Sequence, residues 1–230
     1  MSEDCPARLK RWVMMVDRID DEMVDLMGQR EQIRRIGTMI DGNPQLLASP
    51  KPFLWDVRRW YMYFAAMALR RQTDEKPKRA SLARLLGEIK QQPDCITRQL
   101  LVDQFRAVYT RNTDSAFESL LVDANWSNWA APNGSLNVAR VQADLDGLLS
   151  ISKELMVFTS SLIAHTSLGA IGKETNLTFN DMDAVIDLFE RLTMDYRNLL
   201  TGRGSTTLLP TEQLDWYEQF SFPWKPRNGP

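Results

Sequence analysis

Residues 178–202 read TFNDMDAVIDLFERLTMDYRNLLTG. Apolar side chains recur at Met182, Val185, Ile186, Phe189, Leu192, Tyr196 and Leu199, the three-and-four spacing of one helical face. Thr178 with Asp181 has the form of a capping box with Asp in the place of Glu, and Gly202 supplies a left-handed stop. A helix of this kind hides one stripe and leaves the other wet, so it needs partners of the same type.

Those partners lie upstream. Residues 6–40 repeat Trp12, Val16, Ile19, Met23, Leu26, Met27, Ile33, Ile36 and Ile40, and Gly42-Asn43-Pro44 stops the run. A second helix is expected from about Phe53 to Gln72; its Trp55, Trp60, Tyr61, Phe64, Met67 and Ala68 cover more than half the circumference, which predicts burial on several sides. Ser81 is an N-cap for Leu82–Gln91, with Leu82, Leu85, Leu86 and Ile89 on one stripe and Pro93 beyond its end. Residues 94–122 form another amphipathic segment, 123–137 a loop carrying Trp126 and Trp129, and 137–165 a further helix before Gly169 and Gly172.

No stretch alternates like a strand. The expected fold class is all-α: an up-and-down bundle of the four longest helices, with an extra short helix. Residues 1–203 make one domain, and the aromatic, proline-rich tail 204–230 packs on it.

Composition narrows the function. With 230 residues, 43% hydrophobic, the chain has enough apolar mass for a core and is not disordered. Its longest apolar run, Trp60–Leu69, is ten residues, half of the roughly 20 a spanning helix needs, so no membrane partner is expected. The start, Met1-Ser2-Glu3-Asp4, enters charged helical sequence without a secretory core, so a cytoplasmic protein is expected, in which the triplets at Asn125, Asn133 and Asn176 would have no meaning as glycosylation sites. Cys5, Cys95 and His165 are the only Cys and His residues, too few for a structural zinc site, and no cofactor is expected.

Charge is uneven. The net charge is −2, yet residues 56–90 hold nine basic residues (Arg58, Arg59, Arg70, Arg71, Lys76, Lys78, Arg79, Arg84, Lys90) against four acidic ones. Such a cluster either solvates a helix face or holds phosphates. The loop Ser167–Thr175 contains Gly172-Lys173, but it lacks Gly at Ser167 and a hydroxyl at Glu174, and a helix rather than a strand precedes it; it is not a phosphate-binding loop. Paired carboxylates such as Asp181/Asp183 or Asp144/Asp146 stand two apart and point about 200° away from each other on a helix, so neither pair can share a site. His165 is the one group whose ordinary pKa lies near neutrality, and it falls at an expected helix C-terminus; taken alone it is an ordinary structural histidine or a proton carrier.

Ala68-Leu69-Arg70-Arg71-Gln72-Thr73-Asp74, then Ser81-Leu82-Ala83-Arg84-Leu85-Leu86, then Ser161-Leu-Ile-Ala-His165, then Leu177–Met182 leading to Tyr196-Arg197-Asn198-Leu199-Leu200, resemble in order and spacing the abortive-infection (AbiU-like) branch of the HEPN superfamily. The resemblance implies a helical bundle that forms homodimers, binds or cleaves RNA without a metal in prokaryotic defence or toxin systems, and meets a cognate antitoxin or defence partner. It assigns proton transfer to His165. The family's Arg, separated from that His by four to six intervening residues, would fall on Phe158, Thr159 or Ser160, none of them basic, and Lys153 is about three turns away. Arg70 and Arg71 are the candidate substitutes. Each could equally pair with Asp74, and at most one can face a cleft. Arg58, Arg59, Lys78, Arg79 and Arg84 are the candidate RNA contacts, and Ser161 could orient the His165 ring. The alternative is a non-catalytic helical interaction or scaffold protein.

Overall fold

A computed structural model of the chain describes residues 4–44, 52–108, 115–158 and 178–211. They form seven α-helices: α1 Cys5–Asp41, α2 Pro52–Gln72, α3 Leu82–Gln91, α4 Arg98–Val108, α5 Ser115–Ser127, α6 Val138–Phe158 and α7 Phe179–Thr201, with a single 3₁₀ turn at Pro93–Cys95. The described residues contain no strand, only a bridge between Ala130 and Leu136 in the turn before α6.

The protein is an all-α bundle. α1 has 37 residues and is about 55 Å long at 1.5 Å per residue. Asp4 opens it by accepting from the Ala7 amide (3.0 Å). Its buried row (Trp12, Val16, Ile19, Met23, Leu26, Met27) lies along α7, whose Met182, Ile186, Phe189, Leu192, Tyr196 and Leu199 are fully enclosed. The two run antiparallel: Arg34 meets Asp183 near one end, and Arg197 holds both carboxylate oxygens of Asp20 (2.8 Å each) near the other. α2 packs on α1, α6 and α7, completing the four long helices.

α3 is short but central. Ser81 caps it, its Oγ accepting from the Arg84 amide, and Leu82, Leu85, Leu86 and Ile89 are wholly buried against α6 and α1. Each such side chain contributes about 2 kcal/mol of hydrophobic stabilisation. Gln72 ties its start to the bundle: the side-chain amide donates to Glu22 of α1 (2.8 Å), and its carbonyl oxygen accepts from the Leu82 amide (3.2 Å). Residues 94–122, expected as one amphipathic segment, contain two helices; α4 and α5 lie antiparallel with Arg98–Asp123 and Arg106–Glu118 ion pairs between them. α5 also extends through Trp126 to Ser127, so the loop is shorter than its polar sequence suggests.

α7 has the ends its sequence announces. Thr178 accepts from the Asp181 amide while the Asp181 carboxylate accepts from the Thr178 amide, and Gly202 sits at φ 68°. Beyond it the chain returns along the bundle: Leu208 is buried, and its amide and the Thr207 hydroxyl both donate to Glu190. The aromatic tail from Trp216 onward lies outside the described residues.

One covalent link was not anticipated. Cys5 at the start of α1 and Cys95 in the 3₁₀ turn form a disulfide, with Cα atoms 5.1 Å apart and a sequence separation of 90. Disulfides persist mainly in oxidising compartments, so the bridge bears against the cytoplasmic expectation. No helix among the described residues is long and apolar enough to cross a membrane.

Candidate functional site

The basic residues of 56–90 start on α2 and continue through the loop into α3. Adjacent helical residues diverge by about 100°, so Arg58/Arg59 and Arg70/Arg71 each split between faces. Arg58 is half-buried beside α1, where a Cβ built on Gly37 would come within 3.9 Å of its Nη2. Arg59 is exposed and pairs with Asp56. Arg70 is half-buried and makes no ion pair with a described residue, while Arg71 is exposed and reaches Glu22 only at 3.5 Å. Neither guanidinium pairs with the Asp74 carboxylate, which lies 3.9 Å from Arg79 and accepts from the Lys76 amide. Lys78 and Arg79 are both exposed in the loop.

Arg84 is differently employed. It donates to Glu88 (2.8 Å) and to the Arg79 carbonyl (2.8 Å). Glu88 also accepts from Arg11 (2.7 Å) and from the Trp12 indole (2.9 Å), stitching α3 to α1. Burial works against the charged form of Glu88, but these three donors outweigh it and hold its carboxyl below the ordinary range. The guanidinium of Arg84 is thus spent largely inside the fold.

A second polar cluster was missed. Arg30, only 5% exposed, sits on the same row as Met23, Leu26 and Met27, and pairs with Asp183 (2.9 Å) and Asp187 (2.5 Å) of α7. Arg34 shares Asp183 (2.9 Å). Burial opposes charge on Arg30, yet the two aspartates hold its pKa above the usual value. Tyr61 of α2, 5% exposed, lies in the field of these charges, stacks on Phe179 (6.3 Å) and has a buried hydroxyl with no hydrogen-bond partner among the described residues. Burial, and then Asp183, push that phenol far above its ordinary range, so it stays protonated and cannot serve as a base. The sequence signal for Arg30 was an arginine placed on an apolar stripe.

A third cluster fixes the turn before α6. Arg140 covers the Trp129 ring at 3.9 Å and pairs with Asp195 (3.2 Å). Trp129 meets Tyr196 edge-on at 5.1 Å, and the Tyr196 hydroxyl donates to Asp144 (3.1 Å). Burial and then Asp144 raise this phenol as well. Asp181 and Asp183 face different partners, as do Asp144 and Asp146, the latter held by Gln142. The Arg30 and Arg140 clusters pair cations with carboxylates of α6 and α7. Exposed cations remain on α2 and in the following loop, where Glu75 is exposed beside them.

His165 and Ser161 lie outside the described residues, as does the loop Ser167–Thr175. The chain re-enters at Thr178, next to Tyr61 through Phe179, whereas Arg70 stands nine residues further along α2, about 13 Å away. Lys153 is exposed on α6. Among the described residues no group of three Cys, His, Asp or Glu side chains is placed to hold a metal ion. A scan against protein-family models finds no match for this chain, and no curated protein or solved structure matches it either.

Proposed function

We propose that this chain is an RNA-binding helical protein of the HEPN kind, similar to the AbiU-like branch, with a ribonuclease site that keeps its histidine and lacks its arginine. The observation that supports this most is the disposition of the cations from Arg58 to Arg79. Arg59, Arg71, Lys78 and Arg79 are exposed, Arg70 makes no ion pair with a described residue, and the pairs that do form on this surface are open to water. Exposed pairs are worth at most about 1 kcal/mol, so a phosphate can displace them at little cost. In this reading guanidinium groups hold the RNA backbone, and His165 handles the proton of a 2′-hydroxyl if cleavage survives. Loss of an anion-stabilising donor lowers such a rate by about 100- to 1000-fold, which makes weak or absent cleavage the expected state.

The test is structured RNA incubated with the purified chain in EDTA, beside His165→Ala. Binding that weakens with salt, with slow cleavage lost in the variant, supports the full reading. Binding without cleavage supports the RNA-binding part alone. No binding at low salt removes both.

A second reading, a non-catalytic interaction or scaffold protein, draws on α5. Phe117, Leu120 and Leu121 are exposed together on that helix, an apolar face suited to a protein partner or a second copy. Light scattering at micromolar concentration tests the homodimer, and a monomeric mass refutes it.

A further inference from the structure

Apolar sequence predicted that α2 would be buried on several sides; it packs on α1, α6 and α7, yet one of its apolar rows stays open. Trp60 is 57% exposed and Phe64 38%. They stand one turn apart, with Met67 half-buried a turn further on and exposed Arg71 a turn beyond that. Positions i, i+4, i+7 and i+11 fall on one helical row, so the two rings lie in line and about 6 Å apart along the axis. Tyr61, Met62, Ala65, Ala66, Ala68, Leu69 and Gln72, on the opposite arc, are the ones that meet the bundle.

Cations predominate around the row. Arg59 and Arg70 lie along one side of it, Arg71 closes one end, and Lys76, Lys78 and Arg79 follow in a loop that also carries exposed Glu75, and Asp74 beside Arg79. The carboxylate on this arc, Asp56, is neutralised by Arg59. Exposed rings bordered by guanidinium groups fit an unpaired polynucleotide, whose bases stack on aromatic faces while its phosphates meet the cations. A protein partner with an apolar face would leave Arg70 and Arg71 to be desolvated without compensation.

We propose that the outer face of α2 binds single-stranded RNA, with Trp60 and Phe64 each stacking on a base and Arg59, Arg70 and Arg71 holding the adjoining phosphates. This rests on the RNA-binding reading above and gives it a surface.

The experiment is fluorescence anisotropy of a labelled short oligouridine with the full chain and with Trp60→Ala, Phe64→Ala and Trp60→Phe. Each alanine variant is expected to weaken binding by about 5- to 100-fold, from the loss of one base stack, while Trp60→Phe retains most of the affinity. Both side chains are solvent-exposed, so unchanged circular dichroism and melting temperature separate lost binding from lost folding. Duplex RNA of the same length is expected to compete poorly. If the wild type binds the oligouridine and both alanine variants bind equally well, this proposal falls while the RNA-binding reading stands. If the wild type binds no RNA at low salt, both fall. Two further arms also overturn it: anionic lipid vesicles captured by the wild type but not by Trp60→Ala with RNA binding untouched, or self-association abolished by Trp60→Ala with RNA binding untouched.

Discussion

Removing the Cys5–Cys95 bridge perturbs the chain at its best-defined long-range link. The bond closes a loop spanning 90 residues of sequence. In the chain-entropy treatment, a closure of that length lowers the entropy of the unfolded ensemble enough to stabilise the fold by about 4.6 kcal/mol at 25 °C. At about 2–4 °C per kcal/mol for a chain of this size, reduction or Cys5→Ala/Cys95→Ala should lower Tm by about 9–18 °C. The assay is thermal unfolding with and without reductant, with free thiols titrated before and after denaturation. The double variant should melt at the temperature of the reduced wild type and ignore reductant. A shift below about 3 °C, or two free thiols in air-purified protein, would refute the reasoning.

Two further perturbations probe the polar clusters. Arg30→Met should cost about 1–3 kcal/mol in urea unfolding, because half-buried Asp183 keeps only the exposed Arg34 as a partner, whereas Asp187→Asn, whose carboxylate is largely exposed, should cost under about 1 kcal/mol; equal costs would count against a buried clamp. Glu88 is held below its ordinary pKa, so its contribution is complete above the unfolded value of about 4.3 and disappears as pH falls through the lower folded value. The stability gap between wild type and Glu88→Gln should therefore be full at neutral pH and shrink on acidification below about 4.3; a gap that widens in acid would contradict the three-donor arrangement.

Local signals were legible where one residue settles a local geometry. Ser81 starts α3, Thr178 and Asp181 start α7, and Gly202 ends it, because each satisfies or frees backbone groups within a few residues of itself. Features that depend on distant partners were not. Nothing near Arg30 announces Asp183 and Asp187, which are 153 and 157 residues away, and nothing near Cys5 announces Cys95. Trp60 and Phe64 misled for another reason: hydrophobicity states a preference for burial, but only the arrangement of neighbouring helices decides which flank is covered. Of the candidate site, the cationic run was readable as a run. That Arg84 is bound up with Glu88 while Arg70 is not paired among the described residues required the fold.

The ion pairs between α1 and α7 have a consequence beyond their modest energies. Sliding one helix past the other by a turn in one direction would set Arg30 opposite Arg191 and Asp20 opposite Thr201; in the other direction Asp20 would confront the enclosed Thr193, and Arg34 would confront Phe179. An apolar seam alone tolerates such slippage, whereas these charges act as notches that admit a single alignment.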